Sequence, residues 1–298
     1  MTLLDCTLNA CPEQLSNDHI MQYQRQGYLA FADVLTPGEI SECRQALERT
    51  AREMVESTET RYTAPVAGKK FNYAGACYQR QDSPTFMQLE PGFDPGGRPF
   101  EEIKGYVRKF MWFCTEDEVF QRLVSPASRL HQVVSSLIGL NPILFQEMAL
   151  VKPPFIGSEK PWHQDNAYFS VSPLDRVVGI WIALDDASVD NGCMHVIPGG
   201  HAAGGFRHHH GADCEIDPAL LELDRVRPVP IPAGGAMFFH GMLPHETPPN
   251  RSADLRRALQ FHFRGAETQM VDDGAYDALF VDQQGNAASC RSASKHGF

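Results

Sequence analysis

At 298 residues the chain is long enough for one large domain with a buried core, or for two small ones. Its 43% hydrophobic and 21% charged residues are those of an ordinary soluble globular protein. The formal net charge of −11 argues against a nucleic-acid or anionic-membrane binder, which would carry a basic face, yet a few local Lys and Arg residues still allow an anionic small-molecule substrate.

The first half of the chain reads helical. Gln14 to Gln26 has a helix-like mixture of apolar and polar residues, and Gly27 follows as a stop signal. Gly27 to Leu35 then alternates like a short strand. Thr36-Pro37-Gly38-Glu39 is a helix start, with Thr as N-cap, Pro in the first turn and Glu three residues after the cap. That helix should run through Ile40, Cys43 and Leu47 towards Met54, and a second helical stretch covers about Asp117 to Ile138. Between them, Arg61 to Arg98 is rich in Gly, Pro and aromatics, and reads as an irregular lid or binding loop.

After residue 140 the texture changes to short strands. Gln146–Pro153, Val177–Leu184, Cys193–Pro198, Val226–Pro232, Ala236–His240 and Arg257–Arg264 are separated by Gly, Pro, Asn and Asp clusters. Helices followed by many short strands, without βαβ alternation, predict a mainly β fold with flanking helices (α+β): an antiparallel barrel or jelly roll. The expected organisation is a single catalytic domain over 1–298, with a helical part at about 1–140, a jelly-roll core at about 141–265 and a polar tail beyond.

The eight cysteines, Cys6, Cys11, Cys43, Cys77, Cys114, Cys193, Cys214 and Cys290, contain no CxxC pair, so no zinc ribbon or thioredoxin-like motif is supported. The N-terminus lacks a basic start and a sustained apolar run, and no stretch is long enough to span a bilayer. The expectation is a cytoplasmic protein that binds neither membrane nor nucleic acid, with reduced cysteines acting as small buried hydrophobes.

Chemistry concentrates in two segments. In Pro161-Trp162-His163-Gln164-Asp165, the imidazole and carboxylate are two residues apart, so an extended chain turns both to one face and towards one metal. A third ligand must come from a distant strand, and Gly235 to Thr247 offers His240 and His245. Two His and one carboxylate leave adjacent positions open for a bidentate cosubstrate and O2, as in non-haem Fe(II) oxygenases, whereas a structural zinc site would close its tetrahedron. Downstream, Arg256 shares a strand face with Ala258, Gln260 and His262, while Leu259, Phe261 and Phe263 take the opposite, apolar-packing face. An inward Arg needs an anion: either the carboxylate of a ligand or a structural Asp/Glu bridge.

Trp162-His163-Gln164-Asp165, Trp181, Asp190-Asn191-Gly192-Cys193, Ile197-Pro198-Gly199-Gly200-His201, Phe239 to Thr247 and Arg256-Arg257-Ala258 together resemble the phytanoyl-CoA dioxygenase family, in order and with matching spacings. The resemblance covers Gln146 to Arg264, and more weakly reaches back to Lys109. It implies a double-stranded β-helix with His163, Asp165 and His245 as iron ligands. Arg256 would clamp the distal carboxylate of 2-oxoglutarate, Thr247 would assist with its hydroxyl, Trp181 would line the cosubstrate pocket, and Gln146 and Lys109 match cosubstrate contacts. The family often has Ser with a preceding Gly where this chain has Glu246-Thr247, which puts bulk and charge into that loop. Asp165 also separates hydroxylation from halogenation, since halogenases of this fold replace the carboxylate by a small residue.

The cofactors so implied are Fe(II), 2-oxoglutarate and O2, with ascorbate as a stimulant. Substrate contacts are expected at Asn166, Tyr168 and Phe169, and in the aromatic loop around Phe71, Tyr73 and Tyr78. His240 reads as a supporting residue, His195 and His201 as strand and turn residues, and the His208-His209-His210 run as an exposed loop that is no metal site. Desaturation, cyclisation or epimerisation by the same cofactors is the alternative outcome. A cupin-type isomerase or hydrolase, and a non-catalytic binding module, are the competing classes; Arg256 and Trp181 argue against the first, the complete triad against the second.

Overall fold

The computed structural model describes residues 8–63, 75–211 and 213–295. Capping chemistry sets the first elements. Helix α1 (Asn17–Gln26) begins three residues later than its periodicity suggests, because the Ser16 hydroxyl accepts the His19 N–H at 3.3 Å. Gly27 ends it with φ 82°, and a Cβ there would lie 2.5 Å from the His201 ring. After β1 (Tyr28–Phe31), Thr36 and Glu39 exchange the reciprocal bonds of a capping box, 3.2 and 2.8 Å, at the head of α2 (Pro37–Glu56).

The remaining elements of the first half are β2 (Thr60–Thr63), β3 (Cys77–Arg80), β4 (Phe86–Leu89), α3 (Phe100–Ile103), β5 (Val107–Met111), α4 (Glu118–Val124) and α5 (Arg129–Ile138). The second half contributes β6 (Ile143–Lys152), β7 (Lys160–His163), β8 (Val171–Ser172), β9 (Val177–Ala183), β10 (Met194–Val196) and β11 (His208–His210). These are followed by β12 (Cys214–Ile216), β13 (Arg227–Val229), β14 (Ala236–His240), β15 (His245–Thr247), β16 (Arg256–Arg264) and β17 (Gln269–Met270), then α6 (Asp273–Leu279) and α7 (Cys290–Lys295).

The large sheet has nine strands in the order β1-β14-β9-β16-β6-β5-β4-β3-β2, and a smaller sheet has four, β13-β10-β15-β7. This is the expected jelly roll with flanking helices. Strand β9 is buried along its whole length because both its faces are covered. Val178, Ile180 and Ile182 join Phe238, Leu259, Phe261 and Phe263 against α2, α4 and α5. Trp181 and Ala183 face the other way, packing with Met237, Phe239 and Ala258 against Met194 and Val196 of the small sheet. At about 1.5–3 kcal/mol per large buried side chain, these two layers fix which residues of each strand point inward.

Several expectations are corrected. The stretch from Asp117 to Ile138 is two helices, since Pro126 forces Ser125 into an extended conformation and Ser128 caps a new start. Arg61 to Arg98 is not irregular throughout: β3 and β4 extend the large sheet, so that sheet draws strands β1 to β5 from the half that reads helical. Phe71 and Tyr73 lie outside the described residues. The His208–His210 run is a strand paired with β12, not an exposed loop. No helix among the described residues is long and apolar enough to cross a membrane.

The reduced-thiol expectation fails at one pair: Cys214 and Cys290, 76 residues apart, form a disulfide that ties β12 to α7. Spacing could not reveal it, because the pairing depends on how the tail folds back. Cys11, Cys43, Cys77, Cys114 and Cys193 are free, and all but Cys77 are buried. Replacing Cys214 and Cys290 together by Ser should cost about 2–4 kcal/mol in denaturant unfolding. Dithiothreitol should reproduce that loss in the wild type and add nothing in the variant; equal stability of the two proteins would show that the bond does not form in solution.

Candidate metal centre and its cavity

His163 ends β7 and His245 begins β15, and the two are direct register partners, so strand pairing alone brings their rings to a centroid separation of 4.1 Å. Asp165 follows two residues after His163, where the backbone turns out of the strand. Ligand atoms from His163, Asp165 and His245 all lie within 4.8 Å of one another, the one such His/Cys/Asp/Glu group among the described residues, and all three side chains are buried. The sequence alternative, His240, points elsewhere: its Nδ1 accepts the Met242 N–H at 3.0 Å and its ring stacks near His201 and Tyr23.

The ring protons can be assigned from the partners. His163 Nδ1 lies 2.8 Å from the Pro161 carbonyl and His245 Nδ1 lies 3.0 Å from the Leu243 carbonyl, so both donate through Nδ1 and leave Nε2 as the nitrogen whose lone pair could hold a metal. Burial, then the neighbouring His163, pushes the His245 pKa down to about 3, which keeps that lone pair available. Asp165 supplies negative charge: burial alone would raise its carboxyl, but the imidazoles around it hold it well below the usual carboxylate range. With His163 Nε2 at 3.3 Å from Asp165 Oδ1 and His245 Nε2 at 3.9 Å from Oδ2, three groups able to ligate converge on one point. Such a donor set fits a divalent cation, and its nitrogen–oxygen composition with no thiolate suits iron.

A cavity opens on this point. His163, Asp165, His245 and Thr247 form one wall with Met194; Arg108, Lys109, Gln146, Met148, Lys152, Arg256 and Gln260 come from the large sheet. Arg256 is 1% exposed, and its Nε and Nη1 have no hydrogen-bond partner among the described residues. The structural bridge weighed for it belongs to its neighbour instead: Arg257 points out of the cavity and grips Asp185 at 2.8 and 2.9 Å. Burial pushes the Arg256 pKa down to about 10, so it remains a cation at neutral pH.

The other candidate residues divide. Lys109, Gln146, Thr247, Tyr168 and Phe169 line the cavity. Burial, then Arg108 and Lys160, pushes the Lys109 pKa down to about 7. Trp181 is not on the wall; it is fully buried behind Arg256, whose guanidinium lies 5.3 Å from the indole centroid. Asn166 is not on the wall either, since its amide donates to the Leu174 carbonyl at 2.8 Å. Tyr78 is buried in the helix-side core. Glu246, the departure from the family pattern, faces away and meets His195 at 3.2 Å across β10 and β15, so it leaves the cavity clear.

Some of the working parts carry no motif in the sequence. Lys152 donates to the carbonyls of Ser158, Thr247 and Pro248 at 2.7, 3.0 and 2.6 Å, pinning β15 against β6. Gln164, between His163 and Asp165, donates to the Gly204 and Met242 carbonyls and accepts the Phe206 N–H, while its own N–H goes to His208 Nε2 at 3.1 Å. Lys160 is paired with Asp213 and donates to the Tyr168 hydroxyl at 2.7 Å. The tail holds the motif from behind, with the Tyr276 hydroxyl donating to the Asn166 carbonyl. Only the strand parity of Gln260 and His262 could have flagged their bonds to Asp165, at 3.3 and 2.7 Å.

Comparison with known proteins shows the family. Residues 23–258 match the family model described as phytanoyl-CoA dioxygenase (PhyH). The phytanoyl-CoA dioxygenase domain-containing protein 1 of Danio rerio is 27% identical over 269 residues, covering 85% of this chain and 91% of that protein. Among solved structures, EctD from S. alaskensis with bound Fe superposes with a TM-score of 0.64 at 19% identity, over 90% of this chain and 84% of its own. The non-haem alpha-ketoglutarate-dependent carbocyclase SnoK from nogalamycin biosynthesis superposes with a TM-score of 0.61 at 22% identity, over 88% and 90%. At these identities the two structures show a shared fold.

Two histidines of the fold give a pH signature. Burial pushes both His208 and His240 down to about 3 from the ordinary 6.5. Between those values the unfolded chain binds protons that the native state refuses, so stability is full above about 6.5 and falls as pH falls towards 3. The melting temperature should therefore drop already between about pH 6.5 and 5, above the range where carboxylates dominate. Replacing both histidines by Asn should flatten that part of the curve, and a wild-type melting temperature constant across it would contradict the assignment.

Proposed function

The chain belongs to the phytanoyl-CoA dioxygenase family and is an Fe(II)- and 2-oxoglutarate-dependent dioxygenase; from that premise we propose that it hydroxylates an unactivated C–H of a small-molecule substrate, using His163, Asp165 and His245 to hold iron. The observation that carries this reading is Arg256, a buried cation in the cavity of the convergent triad whose Nε and Nη1 have no hydrogen-bond partner among the described residues. A buried guanidinium with unpaired N–H groups is costly unless a ligand carboxylate completes it, and the two-carboxylate cosubstrate of this family does so.

Iron bound at the triad supplies the oxidising power, with O2 and 2-oxoglutarate consumed to give succinate, CO2 and an oxygen atom delivered to the substrate. The chain's own residues do the rest. Arg256, backed by the Trp181 ring, orients the far carboxylate of the cosubstrate, and the Thr247 hydroxyl, Lys109 and Gln146 are placed to contact it from the same cavity. The Nδ1 bonds of His163 and His245 orient both rings so that Nε2 is the nitrogen left to hold the iron. Tyr168 and Phe169, just past the metal motif on the cavity wall, present an aromatic surface to the substrate and limit water at the reacting centre. Asp165 favours oxygen insertion over halogenation, because its carboxylate takes the position a halide would need.

The test is succinate release by purified protein supplied with Fe(II), ascorbate and 2-oxoglutarate. Chelation, or His163→Ala, should abolish it. Arg256→Ala should raise the KM for 2-oxoglutarate roughly tenfold to hundredfold, the worth of one charged hydrogen bond. Arg256→Lys should recover only part of that loss, since the fork is gone. A product gaining one oxygen atom supports hydroxylation, and a product of unchanged oxygen count points to desaturation, cyclisation or epimerisation. Metal-independent turnover, or no 2-oxoglutarate binding with metal present, would sink the dioxygenase reading in favour of a cupin-type enzyme or a binding module.

A further inference from the structure

The proposed centre needs one oxygen of Asp165, and a carboxylate offers two. A triad that binds through three atoms leaves three positions, two for the cosubstrate chelate and one for O2. A second oxygen from Asp165 would take one of them. Something must therefore occupy that oxygen.

In the structure Asp165 Oδ1 faces His163, 3.3 Å from its Nε2. Oδ2 lies 3.9 Å from His245 Nε2 and, at closer range, faces β16, where it receives His262 Nε2 at 2.7 Å and Gln260 Nε2 at 3.3 Å. His262 is fully buried. Its ring sits among Phe169, Phe145 and Phe239 at centroid distances of 4.9, 6.2 and 6.2 Å, and its Nδ1 has no partner among the described residues. Since an ionised carboxylate oxygen can only accept, His262 donates through Nε2, while Nδ1 faces an apolar surround. A phenylalanine would fill this cage without leaving a ring nitrogen unpaired. What the histidine adds is its bond to Oδ2, made from a ring nitrogen that also lies 3.2 Å from Gln260 Nε2.

We propose that His262 is a positioning residue that holds Asp165 to ligation through one oxygen, keeping the third open position of the metal for chemistry. The proposal rests on the reading of His163, Asp165 and His245 as the iron site. His262 does not touch the metal or the substrate; it acts through Asp165, with Gln260 as a weaker second donor to the same oxygen.

The experiment compares wild type with His262→Leu and His262→Gln, measuring Fe(II) affinity, the affinity of the anaerobic Fe(II) protein for 2-oxoglutarate, and the visible charge-transfer band of that ternary complex. If wild type forms no such complex, the iron reading itself fails. If it does, His262→Leu should bind 2-oxoglutarate about tenfold or more weakly with an altered band, while Fe(II) affinity is kept or raised, because a second carboxylate oxygen now reaches the metal. His262→Gln, which restores a donor, should recover much of the cosubstrate affinity. Unchanged 2-oxoglutarate affinity and band in His262→Leu would overturn the proposal. So would a parallel fall of both affinities and of the melting temperature, the signature of a merely structural histidine. Should His262→Leu fail to fold, wild type decides alone: infrared difference spectra on metal addition should show the wide splitting of carboxylate stretches that marks one-oxygen ligation, and the narrow splitting of a two-oxygen carboxylate would overturn it.

Discussion

Two buried imidazoles and a buried carboxylate converge on one point, and the fold is organised to hold them there. Each histidine is fixed by the same local device, an Nδ1–H bonded to the carbonyl two residues earlier in the chain, at 2.8 Å for His163 and 3.0 Å for His245. His208 repeats the device with the Phe206 carbonyl at 2.7 Å and shows where it leads when no metal is intended, because its free Nε2 accepts the Gln164 N–H instead. The difference between a ligand and a structural histidine is thus not the tautomer but what faces Nε2. At His163 and His245 it is the Asp165 carboxylate, at 3.3 and 3.9 Å, which completes a group that could hold a cation.

The supports of this centre come from distant parts of the chain. Lys152 collects three carbonyls and thereby sets the distance between β6 and β15, on which the placement of His245 and Thr247 depends. Gln164 ties the turn between His163 and Asp165 to the segment around Phe206, and Tyr276 of α6 donates to the carbonyl directly after Asp165. The Cys214–Cys290 bond holds that tail against β12, beside Asp213, which neutralises Lys160 on the cavity wall. Charge in the cavity is similarly assigned. Lys152 is spent on carbonyls and Lys160 on Asp213, while Arg256 faces the cavity with N–H groups unpaired. An acidic protein thus presents a cation where a carboxylate ligand is expected.

How much of this could be read in advance follows from the range of each signal. Caps are local, so Thr36 with Glu39 and the stop at Gly27 were legible to the residue. Alternation is also local, and it correctly assigned both faces of β16. Pairings across long separations were not legible. The disulfide spans 76 residues, His262 meets Asp165 across 97, and β3 and β4 are recognisable as strands only once the large sheet exists to receive them. Trp181 was misplaced for a related reason: parity puts it on the inward face, but cannot say that Arg256 lies between it and the cavity.

Strand β16 shows why core and site cannot be separated. Its odd residues, Leu259, Phe261 and Phe263, pack against the helices; its even residues, Arg256, Gln260 and His262, serve the cavity and Asp165. A slip of one residue would bury a guanidinium and an imidazole among phenylalanines and turn those phenylalanines towards the metal ligands. The apolar face strongly penalises that slip, because each large side chain left unburied forfeits about 1.5–3 kcal/mol. The packing that stabilises the fold is therefore also what aims Arg256 into the cavity and His262 at Asp165, six residues apart on one strand. No loop of comparable length has a hydrophobic register to hold three functional groups in phase, and that is the physical reason for building this part of the site on a buried central strand rather than on the surface.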